Sequence, residues 1–183
     1  MKNKRLNREE VILIVIDYQE RLVPAMMNKE ETIATAAKLI KGFSIMELPI
    51  MIVQQYPKGL GETVSEIKSA AENGMIIDKQ TFSAWKDENF VSEFKKQNKK
   101  IVVVIGIEAH ICEQETVLDL LDEGYTIYVA QDCISSRKEN DKLVSVERMR
   151  QNGANITTYE SILFELLGSN KAPEFKQISA LVK

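Results

Sequence analysis

Two hydrophobic rhythms alternate along the chain. The runs Val11–Ile16 (VILIVI) and Ile101–Ile105 (IVVVI) are apolar at every position, the pattern of strands buried on both faces. Between them lie stretches whose apolar residues recur near helical spacing. In Lys29–Met46 these are Ile33, Ala36, Ala37, Ile40, Phe43 and Ile45; in Glu88–Gln97 they are Phe90, Val91 and Phe94. Pro49 precedes a second strand, Ile50–Gln54, and a Gly- and Pro-containing loop follows over Tyr56–Gly61. A short helix over Thr63–Glu72 leads past Gly74 into a weaker third strand, Met75–Ile77. After the fourth strand the pattern predicts a helix over Cys112–Glu123 stopped by Gly124, then a fifth strand over Thr126–Ala130. A helix over Asn140–Asn152 closed by Gly153, a sixth strand at Asn155–Thr158 and a helix beginning at Ser161–Leu167 complete the series.

Strands that alternate with helices predict an α/β fold in three layers, a six-stranded, mostly parallel sheet with helices on both faces. No repeat, low-complexity stretch or linker divides the chain, so a single domain over residues 1–183 is expected. In such sheets ligands bind beyond the carboxyl ends of the strands, where strand order reverses. Those ends carry distinct chemistry: Asp17 after the first strand, Lys79 after the third, and Gly106 to Cys112 after the fourth.

Composition narrows the field. A net charge of -3 offers no basic excess for a phosphate backbone, so no nucleic-acid partner is expected. The apolar run that ends at Asp17 is too short for a signal segment or a membrane span. Two cysteines, Cys112 and Cys133, make no disulfide framework and fit a reduced, cytoplasmic setting. A single histidine, His110, excludes sites that need two or three imidazoles.

Cys112 falls near the start of the predicted fourth helix, where first-turn amides and the helix dipole lower a thiol pKa. A carboxylate within reach can take its proton, and a lysine can hold that carboxylate in place. The plainer reading of Cys112 is a small buried hydrophobe, and that of Asp17 a residue that ends a strand. His110 could serve Cys112 as a base, although the carboxylate–lysine pair already supplies one. Cys133 reads as structural, with Asp132 and Arg137 pairing to order its loop. The Gly59-Leu60-Gly61 segment reads as a turn.

The segments VIDYQERLVPAM, DKQTFSAW and GIEAHICEQETVLDLLDEGY resemble, in order, three motifs of the isochorismatase-like cysteine hydrolases. The resemblance covers Glu10 to Leu167. Through QQYPKGLG, DCISSR, ERMRQNGA and SILFELLG it is nearest to the isochorismatase domain-containing subgroup. It implies a Rossmann-like strand order and a catalytic triad of Asp17, Lys79 and Cys112. It also implies a cis peptide between Ile107 and Glu108, and an oxyanion hole from backbone amides near Ala109 and Cys112. Family nicotinamidases hold a metal with an Asp and two His after the second strand. Here that stretch is Gln54-Gln55-Tyr56-Pro57, so neither metal nor cofactor is expected. Isochorismatases proper lack the cysteine, so Cys112 argues for acyl chemistry.

Leu22, Gln55, Tyr56, Phe82 and Trp85 are expected to wall the pocket. The function expected is cysteine-dependent hydrolysis of a small amide-type C–N bond through a thioester. The rivals are a binding or scaffold module and a redox thiol pair of Cys112 with Cys133. A homo-oligomer is expected, with Thr81–Trp85 near a subunit contact.

Overall fold

The computed structural model describes residues 5–183; residues 1–4, part of the basic start, lie outside it. Six parallel strands form one open sheet in the order β3-β2-β1-β4-β5-β6. They are β1 (Val11–Ile16), β2 (Ile50–Gln55), β3 (Met75–Lys79), β4 (Ile101–Gly106), β5 (Thr126–Ala130) and β6 (Asn155–Thr157). The helices are α1 (Lys29–Ile45), α2 (Pro57–Leu60), α3 (Ser65–Ala70), α4 (Glu88–Lys96), α5 (Gln114–Asp122), α6 (Glu139–Gln151), α7 (Tyr159–Leu167) and α8 (Phe175–Val182).

Side-chain alternation along the buried strands fills two cores, one on each face of the sheet. Val11, Leu13 and Val15 of β1 pack with Leu39, Ile40 and Phe43 of α1, Ile67 of α3, Ile162 of α7 and Ile178 of α8. Ile12, Ile14 and Ile16 point the other way, onto Phe90 and Phe94 of α4, Val117 and Leu120 of α5, and Val146 and Met149 of α6. Local chemistry sets several boundaries. Asp87 caps α4 by accepting from the amides of Asn89 and Phe90, and Thr158 caps α7 by accepting from Ser161. Gly124, at φ 86, supplies the left-handed residue beyond α5.

The strand order reverses between β1 and β4, so the switch point lies at their carboxyl ends. Gly106 makes that approach possible, because a Cβ there would stand 2.6 Å from Ile16 Cβ and 2.7 Å from Ile16 O.

Three boundaries differ from the sequence pattern. β3 runs to Lys79, so Asp78 and Lys79 belong to the strand rather than to the loop after it. The segment after Tyr56 winds into the single turn α2 instead of an open loop. The helix after β4 begins as a π-helical turn, Ala109–Glu113, and Cys112 sits inside that turn rather than at an α-helix start.

Candidate active site

The three strand-end groups converge. Asp17 follows β1 directly and its amide donates to Val53 O (2.9 Å), holding it against β2. Its backbone is left-handed, φ 56, a conformation that non-glycine residues seldom adopt. Lys79 ends β3. Both side chains are fully buried, and Lys79 Nζ donates to Asp17 Oδ2 at 2.9 Å and to Gln55 Oε1 at 2.6 Å. Asp17 Oδ1 has no hydrogen-bond partner. Burial pushes the Asp17 carboxyl above its ordinary 3.8, while the Lys79 charge works against that rise.

Cys112 is 7% exposed, and its thiol interacts with both Asp17 and Lys79. Burial pushes the thiol up to about 12; the Asp17 charge adds to the rise and Lys79 opposes it. The sequence reading expected a lowered thiol pKa from a helix start. Desolvation and a neighbouring carboxylate overturn that, so the resting sulfur is a protonated thiol.

The Ile107–Glu108 peptide is cis. The Ala109 amide, expected in the oxyanion hole, donates instead to Ser135 O at 2.8 Å. It is taken up because Ile107 and Ser135 form an isolated parallel bridge between the β4 exit and the loop after β5. That leaves the Cys112 amide as the remaining donor of the expected pair.

Arg137 does not pair with Asp132. Its Nε and its amide both donate to Glu108 Oε2 (2.9 and 3.2 Å), and Asp132 accepts from the Tyr159 amide (3.0 Å). His110 turns towards α6: Nδ1 lies 2.9 Å from Ser136 Oγ and Nε2 lies 3.9 Å from Asp141 Oδ2. It is thereby occupied away from the Asp17–Lys79 pair. Cys133 is fully buried in the α1/α7 core, across the sheet from Cys112, so the two thiols sit in opposite layers and form no redox pair.

The expected pocket residues separate into groups. Gln55 is part of the ion-pair network. Leu22 is half-buried, and Tyr56 and Phe82 are exposed, Phe82 at 63%. Trp85 is corrected: it is 9% exposed and packs edge-on to Phe94 and Tyr125, each at 5.6 Å. A 3-10 turn, Ala84–Lys86, draws the ring into the α4/α5 core, away from the pocket wall expected of it.

Three supporting residues escaped the sequence reading. Gln19, fully buried, accepts from the Gln55 amide (2.7 Å) and donates to Gln55 O (2.9 Å) and Gly61 O (2.7 Å), so it fixes the residue that holds Lys79. Its signal was its place two residues after Asp17. Thr116 donates to Cys112 O (2.6 Å) and accepts from the Ala84 amide (2.9 Å); its helical spacing of four from Cys112 was the clue. Glu113 is fully buried with neither carboxyl oxygen hydrogen-bonded, and burial holds its carboxyl well above 4.5. No pattern in the chain distinguished it from a solvated helix residue.

A doubly wound parallel sheet with a carboxylate, an ammonium and a thiol at its switch point defines the class. Residues 11–161 match the isochorismatase domain, and the chain belongs to the isochorismatase family, whose fold is a hydrolase fold. Isochorismatase domain-containing protein 2 of Xenopus laevis is 35% identical over 178 residues, covering 97% of this chain and 86% of its own. Isochorismatase domain-containing protein 1 of Salmo salar is 34% identical over 94% of this chain, which spans 60% of that relative. A solved structure described as MAR1 ribonuclease from Caenorhabditis elegans superposes with a TM-score of 0.92 at 36% identity, covering 98% of this chain and 92% of its own. Among the described residues no helix is long and apolar enough to cross a membrane.

Proposed function

We propose that the protein is a cysteine-dependent hydrolase that cleaves an amide-type C–N bond of a small molecule through a thioester on Cys112. The observation that carries this reading is the division of labour on Asp17. Lys79 occupies Oδ2, and the same carboxylate also interacts with the Cys112 thiol. A thiol held at about 12 does not ionise alone at neutral pH, so its proton passes to Asp17 as the sulfur attacks the carbonyl. Lys79 keeps the carboxylate oriented. The Cys112 amide receives the oxyanion, and Asp17 then returns the proton to the leaving amine. Water, deprotonated by the same carboxylate, cleaves the thioester and restores the thiol; amide and water become acid and amine. The small opening at Cys112, 7% of its surface, favours a small substrate.

The same reading takes no metal or cofactor, a reducing cytoplasmic setting, which two free cysteines suit, and a homo-oligomeric assembly. RNA cleavage, which the name of the C. elegans relative suggests for that protein, finds no support in a chain of net charge -3. A binding module without activity remains the rival. Ammonia release from a panel of small primary amides, ureides and carbamoyl compounds, with an RNA arm, decides among them. Cys112→Ala is expected to abolish turnover and Cys133→Ala to leave most of it. Equal loss in both, or turnover in neither protein nor variants, rejects the assignment.

A further inference from the structure

We propose that a polar hollow at the carboxyl end of β5, outside the Asp17–Lys79–Cys112 site, binds a small zwitterion, an α-amino acid with an apolar side chain. The proposal does not depend on the reaction assigned to Cys112.

The hollow encloses about 340 Å³ between the start of α1, the loop after β5 and the first turns of α6. That volume lies in the range of small-ligand pockets, and the hollow stands on the rim where parallel sheets take their ligands. Glu139 and Lys142 of α6 both line it. They are three positions apart with the acid first, the spacing at which Glu93 pairs with Lys96 and Glu147 with Arg150. Among the described residues, however, the side chains of Glu139 and Lys142 form no ion pair or hydrogen bond. Lys142 is half-buried and lies instead in the field of Glu113 and Asp132. Neither acid takes up its charge. Glu113 is fully buried with no hydrogen bond to its carboxyl, and burial raises its pKa well above 4.5, which favours the neutral form. Asp132 is occupied by the Tyr159 amide, which reaches both of its oxygens (3.0 and 3.3 Å). Burial works against the Lys142 ammonium, a cost that a ligand carboxylate would offset.

Two side-chain amides extend the polar wall. Asn28 stands at the N-cap of α1 but makes no capping bond, the role an asparagine there usually fills. Gln131 is exposed, and its side chain has no hydrogen bond among the described residues. The buried serines of the lining are already committed. Ser135 Oγ donates to Met27 O (2.6 Å), and Ser136 Oγ lies 2.9 Å from His110 Nδ1. The groups left over are one ammonium, one carboxylate and two amides. A simple anion would meet Lys142 but face Glu139, and a simple amine would meet Glu139 but face Lys142. A ligand that carries both charges on neighbouring atoms satisfies both, since residues three apart on a helix hold their Cβ atoms about 5–6 Å apart. Met27 and Leu143, the apolar part of the lining, suit a short apolar tail.

Calorimetric titration of the full chain with L-leucine tests the proposal. One-to-one binding with Kd below about 1 mM is expected. 4-Methylpentanoate, which lacks the amine, and 3-methylbutylamine, which lacks the carboxylate, should each bind at least ~tenfold more weakly. No leucine binding, or equal affinity for the three compounds, overturns the proposal. Lys142→Met and Glu139→Gln should each weaken leucine binding at least ~tenfold while circular dichroism stays unchanged. Leu143→Trp, at an exposed position of the lining, should block the hollow without removing either charge, and it carries the test if Lys142→Met fails to fold. Cys112→Ala should bind leucine within ~twofold of wild type, because the sites are separate. Binding lost in Cys112→Ala but kept in Lys142→Met and Leu143→Trp places the amino acid at the cysteine and refutes the hollow.

Discussion

With Oδ2 held by Lys79 and Oδ1 open, Asp17 can take and return a proton without releasing its ion pair. The same negative charge helps keep Cys112 protonated, so removing it acts on the thiol and on catalysis in opposite directions. In Asp17→Asn, Lys79 faces the sulfur alone and stabilises the thiolate. Alkylation of Cys112 by iodoacetamide at neutral pH is expected to rise at least ~tenfold. Turnover is expected to fall ~10²–10⁴-fold, because the base is gone. If alkylation falls with turnover, the Asp17 charge is not what holds the thiol protonated. In the wild type the base works only when ionised, and burial raises its pKa above 3.8. Activity should therefore decline as pH falls through a value above 3.8, and a pH–rate profile with its acid limb at or below 3.8 contradicts this. The identity of the trio was legible in the sequence because strand ends of an α/β sheet carry chemistry. The state of the thiol was not, since it depends on burial and on a neighbour ninety-five positions away in the chain.

At the level of elements, the nucleophile rests on a π-helical turn tied to its surroundings at both ends. Arg137 and Ser135 hold the entry through Glu108 and the Ala109 amide, and Thr116 holds the exit through Cys112 O. Thr116 also satisfies the buried amide of Ala84, which begins the turn that seats Trp85. Thr116→Val keeps the shape but strands that amide, at a cost of about 1–3 kcal/mol. Urea denaturation should register the loss, and kcat should drop as the Cys112 turn loosens. Unchanged stability would mean that Ala84 finds another acceptor. The strands and long helices were readable from periodicity to within a residue or two. Periodicity missed α8 (Phe175–Val182) altogether, and its other misses came from pairing and side-chain bonds across elements. β3 extends to Lys79 because Gln54 and Gln55 of β2 pair with Asp78 and Lys79 in register. Trp85 turns inward because Ser83 caps its turn and bonds Asp119 of α5.

For the whole molecule, the strand order sets which parts must meet before the site exists. Asp17, Lys79 and Cys112 come from β1, β3 and the exit of β4, so the site is complete only when both sides of the switch point are paired. The sheet also divides the interior into two cores, and the two cysteines of the sequence fall one on each side. Each is buried, and neither is tied up in a disulfide. The protein thus carries a built-in chemical stopwatch for each layer. A thiol reagent applied to the native chain can react with Cys133 only when the α1/α7 layer opens, and with Cys112 only through the site mouth or the opening of the α4/α5 side. Cys112, with some surface exposed, should be modified first. Modification of Cys133 should track global unfolding as urea is raised. Equal rates for both would mean that the two layers open as one, and a single pair of native residues would have reported how cooperatively the molecule comes apart.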